Sequence, residues 1–173
     1  MQLVVLGLNH KTVSVDIREQ FAISEESARS GLRHLDEQEG IEEAVVLSTC
    51  NRTEIYAVLK NGAARKTLYQ FFLALSGNSE AKKEYFFYFE GEACIRHLFE
   101  VASGLDSMVI GESQILNQIK TAYTMALSEK ATKTILNTLF HRAITTGKRV
   151  RTETRISYSA VSVSYAAVKL AEK

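Results

Sequence analysis

The stretch Ala44-Val45-Val46-Leu47-Ser48-Thr49-Cys50-Asn51-Arg52-Thr53-Glu54-Ile55-Tyr56-Ala57-Val58-Leu59 sets two short apolar runs on either side of a polar segment. Runs of this length, rich in valine and bounded by polar residues, predict strands at 44–48 and 55–59. Residues 2–6 (QLVVL) supply a third strand, and the aromatic run Tyr85-Phe86-Phe87-Tyr88-Phe89 a fourth. Between them lie helical periodicities over 14–21, 25–38 and 64–76, the second opening on Ser24 followed by two glutamates, a good N-cap signal. Elements interleaved in this order predict an α+β fold. Its first part is a small α/β sandwich over residues 1–90, with a mostly antiparallel sheet covered on one face.

From about residue 91 the pattern is helical. Residues 92–102 place Cys94, Ile95, Leu98, Phe99, Val101 and Ala102 on one stripe, and residues 113–129 and 133–152 repeat the period after a glycine-bounded segment, 104–111. This predicts a helical subdomain over 91–155. Residues 156–173 read as the start of a further helix that stops without a C-terminal glycine or a following turn, the pattern of a truncated chain.

Composition narrows the classes. The 173 residues suffice for one large domain or two small ones. No apolar run approaches the roughly 20 residues that cross a bilayer, and the start carries no basic leader, so a cytoplasmic protein is expected. Two cysteines make no disulfide framework and are expected as reduced thiols. At a net charge of +1, contact with nucleic acid must come from a local patch. There is no G-x-G-x-x-G, hence no visible dinucleotide-binding turn.

Cys50 lies in the polar segment between two strands, two residues from Arg52. A nearby positive charge favours the reactive thiolate, and a small residue filling a turn fits the position equally. Cys94, on an apolar stripe, reads as core. His97 lies at the edge of that stripe, where an imidazole either packs and is solvated or reaches a cleft as acid or base. Gln114 and Gln118 are one turn apart, a spacing that suits a polar pocket wall or a half-exposed flank. His141, Arg142, Lys148, Arg149, Arg151 and Arg155 form a basic stretch, either a solvated face or a phosphate contact.

Together these segments resemble one family. GLNHKT at 7–12, Arg18-Glu19, STCNRTEIY at 48–56, VASGLDSMVIGESQIL at 101–116, KRVRTET at 148–154 and AVSVSYAAVKLA at 160–171 resemble, in order, the N-terminal half of glutamyl-tRNA reductases. Ser113, and Val13 or Ser14, stand where the family usually has proline, a change of loop stiffness at positions that supply no chemistry.

The resemblance implies a reaction: a cysteine thiolate attacks the ester of glutamyl-tRNA, and NADPH reduces the resulting thioester to glutamate-1-semialdehyde for tetrapyrrole synthesis. On this sequence it implies Cys50 as nucleophile and His97 as a second catalytic residue. Thr49, Asn51 and Arg52 flank the nucleophile, Arg52 holding the substrate carboxylate. Ser107, Glu112, Ser113, Gln114 and Gln118 line the glutamate pocket, with Glu112 at the substrate ammonium. It further implies that NADPH is held by a domain outside this chain and that no metal takes part. The full-length enzyme would be a homodimer, the fragment a monomer, and an aminomutase the acceptor of the aldehyde. Two other readings keep a place, a cysteine-dependent acyl hydrolase and a non-catalytic tRNA- or protein-binding module.

Overall fold

The computed structural model describes residues 1–112, 114–154 and 156. Strands β1 (Gln2–Asn9), β2 (Ile41–Ser48), β3 (Arg52–Leu59) and β4 (Phe87–Glu90) form one antiparallel sheet in the order β2-β3-β1-β4. Helices α1 (Val15–Gln20) and α2 (Glu25–Arg33) connect β1 to β2, and α3 (Arg65–Leu75) connects β3 to β4, the split β-α-β arrangement. Ser24 caps α2 as its sequence predicts, its side chain accepting from the Ser27 N–H at 3.1 Å.

Helices α4 (Gly91–Ser103), α5 (Gln114–Ser128) and α6 (Thr134–Glu153) follow. They correct the expectation of a sheet covered on one face. The register sets Val5, Tyr56 and Val45 on one side and Leu6, Ile55 and Val46 on the other. Leu6 lines a groove with Tyr69 of α3. Tyr56 meets Phe140 of α6 edge to face, ring centroids 5.4 Å apart. The sheet is therefore a middle layer, and all eight residues of β3 are buried. A strand buried on both sides has no solvent face to alternate toward, which is why its apolar run is continuous. Sandwich and helical residues share one core, from Val4 to Ala143.

Two contacts fix α6, one to the sheet and one to its neighbouring helices. Glu43 of β2 is buried, and its carboxylate accepts from the backbone N–H groups of Lys133, Ile135 and Leu136 at 2.7, 3.1 and 2.9 Å. These are donors that the first turn of α6 cannot satisfy internally, and a negative charge there also suits the helix dipole. At the other end, Gly147 lets α6 approach α4: a Cβ at this position would run into the Ala102 carbonyl and lie 3.1 Å from Leu116.

Two effects oppose each other in Gly147→Ala. Helix propensity favours alanine by about 1 kcal/mol, whereas overpacking against a backbone carbonyl costs about 1–3 kcal/mol. Because the obstacle is backbone and cannot swing aside, the variant is expected to unfold at lower urea concentration than the parent. A higher midpoint would show that α4 and α6 separate freely.

Candidate active site

The site grows from the β2–β3 turn. Thr49 organises it: its N–H donates to the Arg52 carbonyl at 2.8 Å, and its Oγ1 accepts from the N–H groups of Asn51 and Arg52, both at 3.2 Å. Cys50 is thereby held at the tip, exposed. The turn is braced from two sides. The His10 N–H donates to the Asn51 carbonyl at 3.0 Å, and Arg18 Nε of α1 donates to the Cys50 carbonyl at 3.3 Å. Cys94, by contrast, is wholly buried in α4, where burial and then the Glu54 charge push its thiol up to about 12. Only one of the two sulfurs is therefore placed for chemistry.

Behind the turn lies a buried ionic cluster. The Arg52 side chain is 1% exposed and Glu54 is fully buried. Arg52 Nη1 donates to Glu54 Oε1 at 2.9 Å and to Asp106 Oδ2 at 3.1 Å, and Nη2 donates to the Asp106 carbonyl. The other Glu54 oxygen accepts from Tyr56 Oη at 2.7 Å, while His97 Nε2 lies 3.0 Å from Oε1. Asp106 also pairs with Lys11. The neighbour of Glu54 on β1 is Gly7, and a Cβ there would stand 2.7 Å from Glu54 Cγ, so a side chain at position 7 would displace the carboxylate. Burial alone would raise the Glu54 carboxyl, but Arg52, His97 and Tyr56 outweigh it and hold it below the usual carboxylate range. Asp106 is lowered in the same way, against its burial, by Lys11 and Arg52.

His97 is therefore more enclosed than a stripe-edge residue. It is 7% exposed, stacks on Tyr56 and packs against Phe87 and Phe89. With Asn9, Lys11 and Asp106 it lines a cleft of about 340 Å³. Gln118 and Ser48 line another, of about 290 Å³, between α5 and the edge of β2. Ser48 precedes Thr49 and Asn9 pairs with Arg52, so both clefts reach the end of the sheet that carries Cys50. Cys50 itself lines neither.

The segment joining α4 to α5 is folded back on itself, the Gly111 N–H donating to the Gly104 carbonyl at 2.9 Å. Within it Ser107 and Glu112 are half-buried, and the Glu112 carbonyl accepts from Arg151 Nη2 at 2.8 Å. Gln114 is exposed, and Ser113 lies outside the described residues. Arg52 was expected at the substrate carboxylate, a ligand that would have to compete with Glu54 and Asp106 for it. The basic stretch of α6 is divided as well. Arg149 pairs with Glu153 and Arg151 turns inward to the Ala102 and Glu112 carbonyls, while Arg155 lies outside the described residues. No group of three or more metal-ligating side chains occurs among the described residues.

Lys11, Glu54 and Asp106 carry no weight in the sequence reading. The available signal is the pair Arg52 and Glu54 at spacing two, which a strand puts on one face.

In the folded chain Glu54 titrates below its unfolded value of about 4.3. Its stabilising contribution is thus complete above that value and is lost as pH falls through the folded one. The urea midpoint is expected to hold from pH 7 to 5 and to drop below about pH 4. Glu54→Gln, which leaves Arg52 short of a buried partner, is expected to lose about 3 kcal/mol at pH 7 and to respond less to acid. Equal acid responses in the two proteins would remove Glu54 from this account.

The family model described as "Glutamyl-tRNAGlu reductase, N-terminal domain" matches residues 6–154. Among curated proteins, glutamyl-tRNA reductases from Geobacter metallireducens and Trichlorobacter lovleyi are 51% and 49% identical over the whole chain, which spans 40% of either relative. The solved glutamyl-tRNA reductase from Methanopyrus kandleri superposes with a TM-score of 0.77 at 38% identity, over 98% of this chain and 39% of that one.

Proposed function

The chain belongs to the glutamyl-tRNA reductase N-terminal domain family, and from that premise we propose that it carries out the acyl-transfer half of glutamyl-tRNA reduction, with Cys50 as nucleophile. The observation that carries this is the presentation of Cys50, exposed on a turn braced by His10 and Arg18, while Cys94 is sealed in the core. The Cys50 thiolate attacks the carbonyl carbon of the glutamyl ester, and the ribose oxygen of the tRNA leaves. A thioester accepts hydride more readily than an oxygen ester, so covalent catalysis divides a hard reduction into two easier steps.

Thr49 and Asn51 shape the turn, and the Gln118–Ser48 cleft, with Ser107, Glu112 and Ser113 from the α4–α5 segment and Gln114 at the start of α5, is the proposed place of the glutamyl group. Glu112 would meet its ammonium. Arg52 is shared internally, so its first service is to hold Asp106, and with it that segment, against the end of the sheet. His97 is proposed to act from its cleft on the acyl group, its orientation set by Glu54.

No dinucleotide-binding turn is found among the described residues. The sheet is antiparallel, and β1 ends in the polar turn Asn9-His10-Lys11-Thr12 rather than a glycine loop entering a helix. Hydride delivery by NADPH is proposed for another part of a longer enzyme, consistent with the 40% of the relatives' length that this chain spans. On this proposal residues 1–155 are the catalytic unit, 156–173 lead toward the NADPH domain, and the full-length protein is a cytoplasmic homodimer that hands its aldehyde to an aminomutase.

The test is a single-turnover incubation of this chain with glutamate-labelled tRNA, quenched in acid. Label is expected on the protein, released by hydroxylamine and absent from Cys50→Ser, whose deacylation of the tRNA should fall by at least about 100-fold. Label that persists in Cys50→Ser, or none on the parent chain, overturns the proposal, and tRNA hydrolysis without captured label points to a hydrolase.

A further inference from the structure

The turn after β1 is closed by its own hydrogen bonds and is bonded to the nucleophile's turn. Asn9, the last residue of β1, pairs with Arg52. Its side-chain oxygen accepts from the Lys11 N–H at 2.9 Å, and Thr12 Oγ1 accepts from its N–H at 3.0 Å. His10, in the middle of this turn, donates its backbone N–H to the carbonyl of Asn51, the residue next to Cys50. From the other flank, Arg18 joins the Cys50 carbonyl to that of Val13. His10 thus sits in a frame bonded on both sides to the Cys50 turn.

Its imidazole is not consumed by that frame. His10 Nδ1 is buried and has no hydrogen-bond partner among the described residues. A buried polar atom left unmatched costs about 1–3 kcal/mol, and a partner that arrives during function is one way such a cost is met. The charged groups around the ring are Lys11 of its own turn, Arg18 of α1, Arg52 of β3 and Asp106 of the α4–α5 segment. Burial first, then Arg52, with Lys11 and Arg18 adding, lowers the imidazole below the usual histidine range against the pull of Asp106, so the ring is neutral near pH 7. His97, the buried histidine, offers less freedom, since its Nε2 is held at the Glu54 carboxylate.

We propose that His10 is the proton relay of acyl transfer, taking the Cys50 thiol proton and returning it to the ribose oxygen of the departing tRNA. The inference rests on the reading of Cys50 as the acylated nucleophile. The bond from Sγ to the carbonyl carbon forms, and the bond from that carbon to the ribose oxygen breaks with its electron pair going to oxygen. The proton moves from sulfur to imidazole to that oxygen. The products are a thioester and a tRNA with a free hydroxyl; nothing is oxidised or reduced. A base that is neutral near pH 7 and a weak proton holder once charged suits both transfers.

The test follows single-turnover acylation of this chain from pH 5 to 9. The parent should show an acidic limb below about pH 6.5, where the ring protonates. His10→Gln should acylate about 100-fold more slowly, the usual scale for a lost general base, and its rate should go on rising with pH where the parent's has levelled off. Its Cys50 should still be alkylated by iodoacetamide at pH 9 within a few-fold of the parent rate. His10→Ala should regain about tenfold in rate with added imidazole, a recovery that a purely structural residue does not show. Acylation of His10→Gln at the parent rate, or a loss that keeps the parent's acidic limb and resists imidazole, overturns the relay. Absence of acylation in the parent overturns the Cys50 reading with it, whereas acylation indifferent to His10 overturns the relay alone.

Discussion

The structure depends on a buried arginine that is never left alone. Arg52 sits at the start of the central strand β3, bound to Glu54 on its own strand and to Asp106 beyond α4. Burying a guanidinium is expensive, and removing either partner of such a pair costs about 3–5 kcal/mol. The cluster therefore acts as a unit. It draws the α4–α5 segment onto the end of the sheet, through Tyr56 it reaches the Phe140 contact with α6, and through His97 it fixes the face of α4. A purely apolar core of similar volume could be as stable, but it would not specify which point of the segment meets which point of the sheet.

That specification matters because Cys50 belongs to no rigid element. Its position follows from its neighbours: Thr49 closing the turn, His10 and Arg18 holding its carbonyl side, and Arg52 anchoring the strand that leaves it. The nucleophile is exposed while everything that positions it is buried or braced. A reactive thiol needs this arrangement, since exposure alone leaves it mobile and burial alone makes it as inert as Cys94.

Much of the fold was legible because apolar periodicity survives burial on one side. The helices at 91–103, 114–128 and 134–153 lie within two residues of the predicted spans. What was not legible came from burial on two sides and from pairing across distance. Arg52, Thr53 and Glu54 read as loop because charged residues rarely enter strands, yet they begin β3. Glu54 answers part of the Arg52 charge, and the rest is met by the carboxylate of Asp106, which no local window connects to Arg52. For the same reason His97 looked like a boundary residue, when Phe87 and Phe89 of the edge strand close over it. In the candidate site, the Cys50 turn and Gln118 were marked by residue type and motif. Lys11 and Asp106 were not, since their meaning lies in three-dimensional contact, and His10 drew little notice because an imidazole without a partner is invisible in one dimension.

The Glu43 carboxylate that caps α6 has a consequence for the order in which the molecule assembles. It lies 90 residues before the first N–H that it accepts. On the ribosome, β2 and β3 emerge and can pair through a short turn long before Lys133 is made. The first turn of α6 has no local substitute for that acceptor, so it is completed only when it meets a finished sheet. The capping of α6 is thus tied to the sheet rather than to its own sequence, and without α6 in place Glu43 is a carboxylate beside the buried residues of β2, a polar group that discourages that strand from joining a second unfinished chain.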